Sequence, residues 1–180
     1  FPAETIAKHI DTIPDADDGT DDLVINDVGF LQYNVGSILP FKDRKFLAAS
    51  IMAARVFGSG LQETRGKRSG KFKFADFVSC EAAATPQGQY GCTIWISTKV
   101  CIGSRFNKKY KVSDENVSIL YSAPRLLIVS VIVGPFFFAI VSAHAPHHSS
   151  DLFNSWWATF IIQMTPLRKR GIPVIFLADL

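Results

Sequence analysis

Residues 126–144 read LLIVSVIVGPFFFAIVSAH. The eighteen residues 126–143 carry no charge, which is near the shortest helix that can cross a bilayer. The interior of the run argues against a span. Gly134-Pro135 stands near its centre, where proline removes a backbone donor and the hydrocarbon offers no water in exchange. On either side Val, Ile and Phe dominate, with few Leu or Ala, as in β-strands. The stretch reads as two buried strands, 126–133 and 136–144, joined by a tight turn.

Outward from this pair, short apolar runs bounded by turn residues recur. Residues 29–34 (GFLQYN), 57–64, 74–83, 91–97, 117–121 and 173–180 read as further strands, with Pro86-Gln87-Gly88 turning between two of them. Two segments have helical spacing instead. Residues 43–56 place Phe46, Leu47, Ile51 and Ala54 on one side. Behind Ser149-Ser150-Asp151, which offers an N-cap, Leu152, Phe153, Trp156, Trp157, Phe160, Ile161 and Met164 recur at helical intervals, and Pro166 should limit that helix. Residues 65–73 and 105–111 read as basic loops. Strand–helix–strand, then a meander, then helix–strand predicts an α/β domain with mixed sheets.

Composition bounds the function. The chain has 180 residues, 48% apolar, 12% aromatic and 19% charged, which fits one globular domain and excludes a disordered chain. Three cysteines with no CxxC pair speak against a disulfide scaffold or a cysteine zinc site, and favour a reducing compartment. Charge is unevenly placed. Residues 1–28 hold eight of the sixteen acids and one base, and read as an acidic, mobile leader, with a short helix near residues 6–10. Residues 29–180 carry a net charge of +10. A basic domain of this kind points to a polyanion, nucleic acid before an anionic membrane. With no signal peptide at Phe1, an intracellular protein, nuclear or cytoplasmic, is expected. The strand-like run that stops at Leu180 suggests a fragment.

The polar candidates for a site stand at strand ends: Asn34, Glu63, His144 and Asp179. In Leu61-Gln62-Glu63-Thr64-Arg65 a carboxylate ends a strand and precedes a basic loop, which suits a hard cation held near phosphates. A plain ion pair of Glu63 with Arg65 is the bland alternative. A third feature, His144, His147 and His148 with Asp151, has an HxxHH spacing. It lies across Pro146 with no further ligand nearby, so a phosphate-facing loop and a helix cap are favoured over zinc.

Four elements occur in order: Tyr33-Asn34-Val35, Leu61-Gln62-Glu63-Thr64, Ser142-Ala143-His144-Ala145-Pro146-His147 and Leu177-Ala178-Asp179-Leu180. Their order and spacing resemble the endonuclease/exonuclease/phosphatase superfamily, which includes exonuclease III, the apurinic endonucleases and deoxyribonuclease I. Residues 91–96 (GCTIWI) and Pro124-Arg125-Leu126-Leu127 look most like the endonuclease domains of non-LTR retrotransposons. The resemblance covers residues 29–180, roughly the first two-thirds of such a domain. It implies a sandwich of mixed β-sheets flanked by helices, truncated at its C-terminus.

The resemblance also implies roles. Glu63 would bind Mg²⁺, for which Mn²⁺ could substitute, with Asn34 beside it orienting a phosphate oxygen or the metal's water. Asp179 would position or deprotonate the attacking water, and His144 would contact the scissile phosphate where many members have Tyr. Gly36 stands where several members have an acid, and Ala178 replaces a usual Gly. The family's later Asp–His pair has no counterpart up to Leu180. The implied activity is Mg²⁺-dependent phosphodiester hydrolysis by a retroelement-type DNA endonuclease domain, monomeric and inactive as this fragment. DNA would be held by the loops 65–73 and 105–111. Two alternatives stay open: a non-catalytic nucleic-acid-binding remnant, and a phosphatase of the same superfamily acting on inositol phosphates or lipids.

Overall fold

The 126–144 stretch folds as an antiparallel hairpin, β10 (Leu126–Val133) and β11 (Phe136–His144), turning at Gly134-Pro135. The computed structural model describes residues 23–37 and 40–179. Among these, β9 (Val117–Ala123) pairs antiparallel with β10, and β12 (Val174–Asp179) pairs parallel with β11. They form a four-stranded sheet in the order β12-β11-β10-β9. A five-stranded sheet has the order β2-β3-β6-β5-β4, from β2 (Gly29–Asn34), β3 (Val56–Gln62), β4 (Gly70–Phe74), β5 (Phe77–Ala82) and β6 (Cys92–Ser97). A small third sheet joins β1 (Val24–Ile25), β7 (Cys101–Arg105) and β8 (Lys108–Lys111). The expected mixed-sheet α/β sandwich is the fold.

Strand alternation builds the layers. Val78, Cys80, Ala82, Ile94 and Ile96 of the larger sheet meet Leu127, Val129, Val131, Ile140 and Leu177 of the smaller one. The other face of the smaller sheet, with Ile128, Ala139, Val141 and Ala143, packs on helix α2 (Phe153–Lys169) through Leu167, Trp156 and Phe160. The outer face of the larger sheet, with Leu61, Phe77 and Trp95, packs on α1 (Phe41–Ala53) through Ala48 and Ile51. Each fully buried aliphatic side chain contributes about 1.5–3 kcal/mol over its exposed state. Helix–sheet–sheet–helix is therefore the order of layers.

Closest approach of the sheets is set by Gly60. A Cβ there would lie 2.4 Å from the Leu177 Cβ, so no other residue lets β3 lie over β12. This contact brings the C-terminal ends of β3, β11 and β12 to one rim.

Several expectations on the elements are corrected. The first helix buries Ile51 as expected, but it turns Phe46 outward, 77% exposed, leaves Ala54 exposed and buries Ala48. Ser149-Ser150-Asp151 does not cap α2: Leu152 holds the N-cap position with no side-chain bond, and Ser150 Oγ accepts the Leu152 N–H. Pro166 lies inside α2 and does not end it. The run 65–73 is a loop only to Ser69, because β4 pairs with β5 from Gly70 onward. Lys71 Nζ donates to the Asp114 and Val117 carbonyls at 2.7 and 2.9 Å, and so is tied down. The run 105–111 is mostly hairpin, paired from Cys101↔Lys111 to Arg105↔Lys108. The acidic leader and its expected helix lie outside the described residues up to position 22, while Val24–Ile25 pairs with β7.

Candidate active site

The strand ends converge. Asn34 ends β2, Glu63 follows β3, and His144 and Asp179, register partners, end β11 and β12. Period two along each strand explains the shared direction: Ser142 and His144 face the larger sheet, as do Leu177 and Asp179, and Gln62 faces them.

Main-chain bonds knit the rim together. Val35 N–H donates to the Gln62 carbonyl, Thr64 N–H to Gly91, Arg65 N–H to Tyr90, and Gly91 N–H to Pro124. His144 N–H donates to Arg125 and Ala145 N–H to Asp179. Gly91 has φ 94°, and a Cβ there would stand 2.9 Å from Thr64 Oγ1, so this crossing needs glycine.

Asn34 links the two carboxylates. Its Oδ1 accepts the Gly36 N–H at 3.2 Å, which fixes the amide's orientation. Its Nδ2 then donates to Asp179 Oδ2 at 3.2 Å and reaches Glu63 Oε1 at 3.5 Å. Glu63 Oε1 also lies 3.6 Å from His144 Nδ1, and Oε2 lies 4.0 Å from the Arg65 guanidinium. None of these contacts to Glu63 is short. The ion pair with Arg65 is at the limit of its class, worth at most about 1 kcal/mol. Two carboxylates thus share one neutral amide donor, an arrangement that gains from an added cation.

The donor set suits a hard cation. Among the described residues no group of three or more His, Cys, Asp or Glu side chains is placed to hold a metal between them. His147 Nδ1 lies 2.8 Å from Ser149 Oγ and its ring packs on His148 at 4.1 Å, so those histidines serve their own loop. Magnesium needs only one or two carboxylates and keeps water or phosphate as its other ligands, so a lone carboxylate such as Glu63, with Asp179 nearby, fits its chemistry. Cys80 and Cys92 take no part: burial pushes both thiols up to about 12.

Beneath the rim lies a polar network that sequence reading missed. Gln62, fully buried, donates through Nε2 to Ser142 Oγ at 3.0 Å and to the Leu177 carbonyl at 2.7 Å. Gln32 Nε2 donates to Gln62 Oε1 at 2.8 Å. One side chain so bridges β2, β3, β11 and β12. A second group supports His144. The Arg125 guanidinium stacks on Tyr90 at 3.5 Å and donates to the His144 carbonyl at 3.2 Å, while the Tyr90 ring meets the imidazole edge-on at 6.0 Å. A glutamine in an inward-facing strand position was the available signal for the first group.

No protein-family model matches the chain, and no curated protein matches its sequence. Solved structures do. The endonuclease domain of TRAS1, a telomere-specific non-LTR retrotransposon, matches at 12% identity and a TM-score of 0.43, over 72% of this chain and 49% of that one. The human Nocturnin catalytic domain with bound sulfate anion matches at 14% identity and a TM-score of 0.48, over 92% and 68%. Each likeness is one of fold alone. This chain spans about half the length of the TRAS1 domain.

Proposed function

We propose that the chain forms the metal-binding half of a Mg²⁺-dependent phosphodiesterase acting on nucleic acid, in the manner of an endonuclease domain. One observation carries the reading: four strands deliver Asn34, Glu63, His144 and Asp179 to one solvent-open rim, where a single amide spans two carboxylates. Glu63 would hold the cation, with Asp179 close enough to share it through water. A bound Mg²⁺ supplies Lewis-acid polarisation of a phosphoryl oxygen.

The chain's own groups do the rest. Asp179, exposed at the rim, accepts a proton from the attacking water and aligns it. Asn34 keeps Glu63 and Asp179 at fixed separation, which sets where that water sits relative to the phosphorus. His144 turns Nδ1 toward Glu63, leaving its other ring nitrogen for the phosphate. The basic stretch that begins at Arg65 borders Glu63 directly, which favours a polyanionic chain over a small neutral ester.

Nicking of supercoiled DNA in Mg²⁺, in a chain extended to the full length of the resembling domains, tests this. Glu63→Gln keeps shape and removes charge, and should lower the rate by about a hundredfold or more. Asp179→Asn should act similarly with metal binding retained, and His144→Ala should cost less. Nicking by Glu63→Gln at the unsubstituted rate would overturn the reading.

A further inference from the structure

Next to the rim, a cleft of about 220 Å³ opens on the far side of Thr64. Arg44, Thr64, Lys67, Arg68, Glu81 and Thr93 line it. We propose that this cleft is a phosphate subsite, which takes the phosphodiester next to the one hydrolysed at the rim. The inference rests on the hydrolytic reading only for what stands at the rim; the cleft's affinity for phosphate is its own property.

The charge arrangement carries it. Glu81, the cleft's single acid, is 4% exposed and already answered: Arg44 forms an ion pair with it, and Ser79 Oγ donates to the same carboxylate at 2.9 Å. Arg44 is held further by Phe74, whose ring lies 4.9 Å from the guanidinium, so it is a fixed and preorganised cation. Its Nε–H is buried without a partner. Lys67 and Arg68 bring two more positive charges at the open side, and among the described residues neither forms an ion pair. Arg68 lies over the Phe72 ring at 4.0 Å, which limits its freedom. Thr93 Oγ1 donates to Thr64 Oγ1 at 3.4 Å, which leaves the Thr64 hydroxyl proton for a ligand.

A surplus of positive charge, part of it held on aromatic rings, with hydroxyl donors around a small, open space is the chemistry that recognises a phosphate oxyanion. Its position decides which one. Thr64 follows Glu63 directly in the chain, so the cleft, on the α1 face of the larger sheet, adjoins the rim at the end of β3. Neighbouring phosphates of one strand can occupy both.

Amide NMR of the chain tests the subsite with three probes: inorganic phosphate, a nucleoside monophosphate, and a dinucleotide with one internal phosphodiester. Saturable shifts at Thr64, Gly66 and Lys67 are expected with phosphate and with the dinucleotide. Lys67→Gln combined with Arg68→Gln should weaken both by about tenfold, since charge-assisted bonds are lost. Both residues are exposed, so the fold should survive, as circular dichroism will show. Glu63→Gln should leave the shifts in place, which separates the two claims. Absence of saturable shifts, insensitivity to the double variant, or a response to inorganic phosphate or the monophosphate without the dinucleotide would overturn the subsite. Glu63-dependent nicking can persist in that event, and nicking that survives Glu63→Gln overturns the rim without touching the cleft.

Discussion

Glu63 has φ 55°, Arg65 φ 53° and Tyr90 φ 66°, all in the left-handed region that side chains with a Cβ enter at a cost of about 1–2 kcal/mol each. Two of the three flank Thr64, and the third is tied to Arg65 by a main-chain bond. Backbone held against its local preference at a rim that carries carboxylates is what a site looks like when packing overrules propensity. Thermal denaturation checks this. Glu63→Gly should be as stable as the unsubstituted chain or more so, whereas Glu63→Val should cost about 1–2 kcal/mol, because a β-branched residue tolerates this conformation least. Equal stability of the two variants would contradict the strained backbone. Asn34, Glu63, His144 and Asp179 were legible in the sequence because each is polar and ends an apolar run. Gln62, Tyr90 and Arg125 were not. Their contacts depend on the distance between two sheets, and no spacing along the chain encodes that.

At the scale of elements, the buried strands were the most legible parts, since a central strand covered on both faces is apolar throughout. Two charged edge strands, β4 and β8, were not. In β4 and β8 lysine alternates with Phe or Tyr, and charge on an edge strand reads as a loop although it guards an open edge. α2 shows the opposite override. Pro166 removes one backbone donor, yet the helix runs on to Lys169 because Leu167 is fully buried against the smaller sheet. Thr165 Oγ1 meanwhile bonds the Ile161 carbonyl at 2.7 Å in the same turn. Pro166→Ala restores the donor, and urea denaturation should show a gain of about 1 kcal/mol or more. A loss would mean that the proline ring itself packs productively there.

Taken as one body, the molecule separates its basic surfaces. Lys67 and Arg68 adjoin the rim, while the β7–β8 hairpin packs its Tyr110 against Gly134 and Phe136 at the opposite end of β11. The two poles lie roughly 27 Å apart at the usual strand rise. Composition alone placed both runs on one nucleic-acid track, and only the topology tells them apart. No helix among the described residues is long and apolar enough to cross a membrane. DNA affinity should fall steeply with salt, as bound phosphates release counterions. Lys67→Gln with Arg68→Gln should lower the magnitude of the log–log salt slope by about two. Lys108→Gln with Lys109→Gln should change it less. Fluorescence anisotropy across a salt series measures both, and equal effects would place the nucleic acid on the far pole as well.

The central claim is that Glu63, set beside Asp179 by Asn34, binds a hard divalent cation. Mn²⁺ titration followed by electron paramagnetic resonance reads this directly in the 180-residue chain and does not depend on turnover. The account predicts one saturable site whose affinity drops about tenfold or more in Glu63→Gln, with the fold unchanged. Mn²⁺ bound equally well by Glu63→Gln and the unsubstituted chain would contradict it.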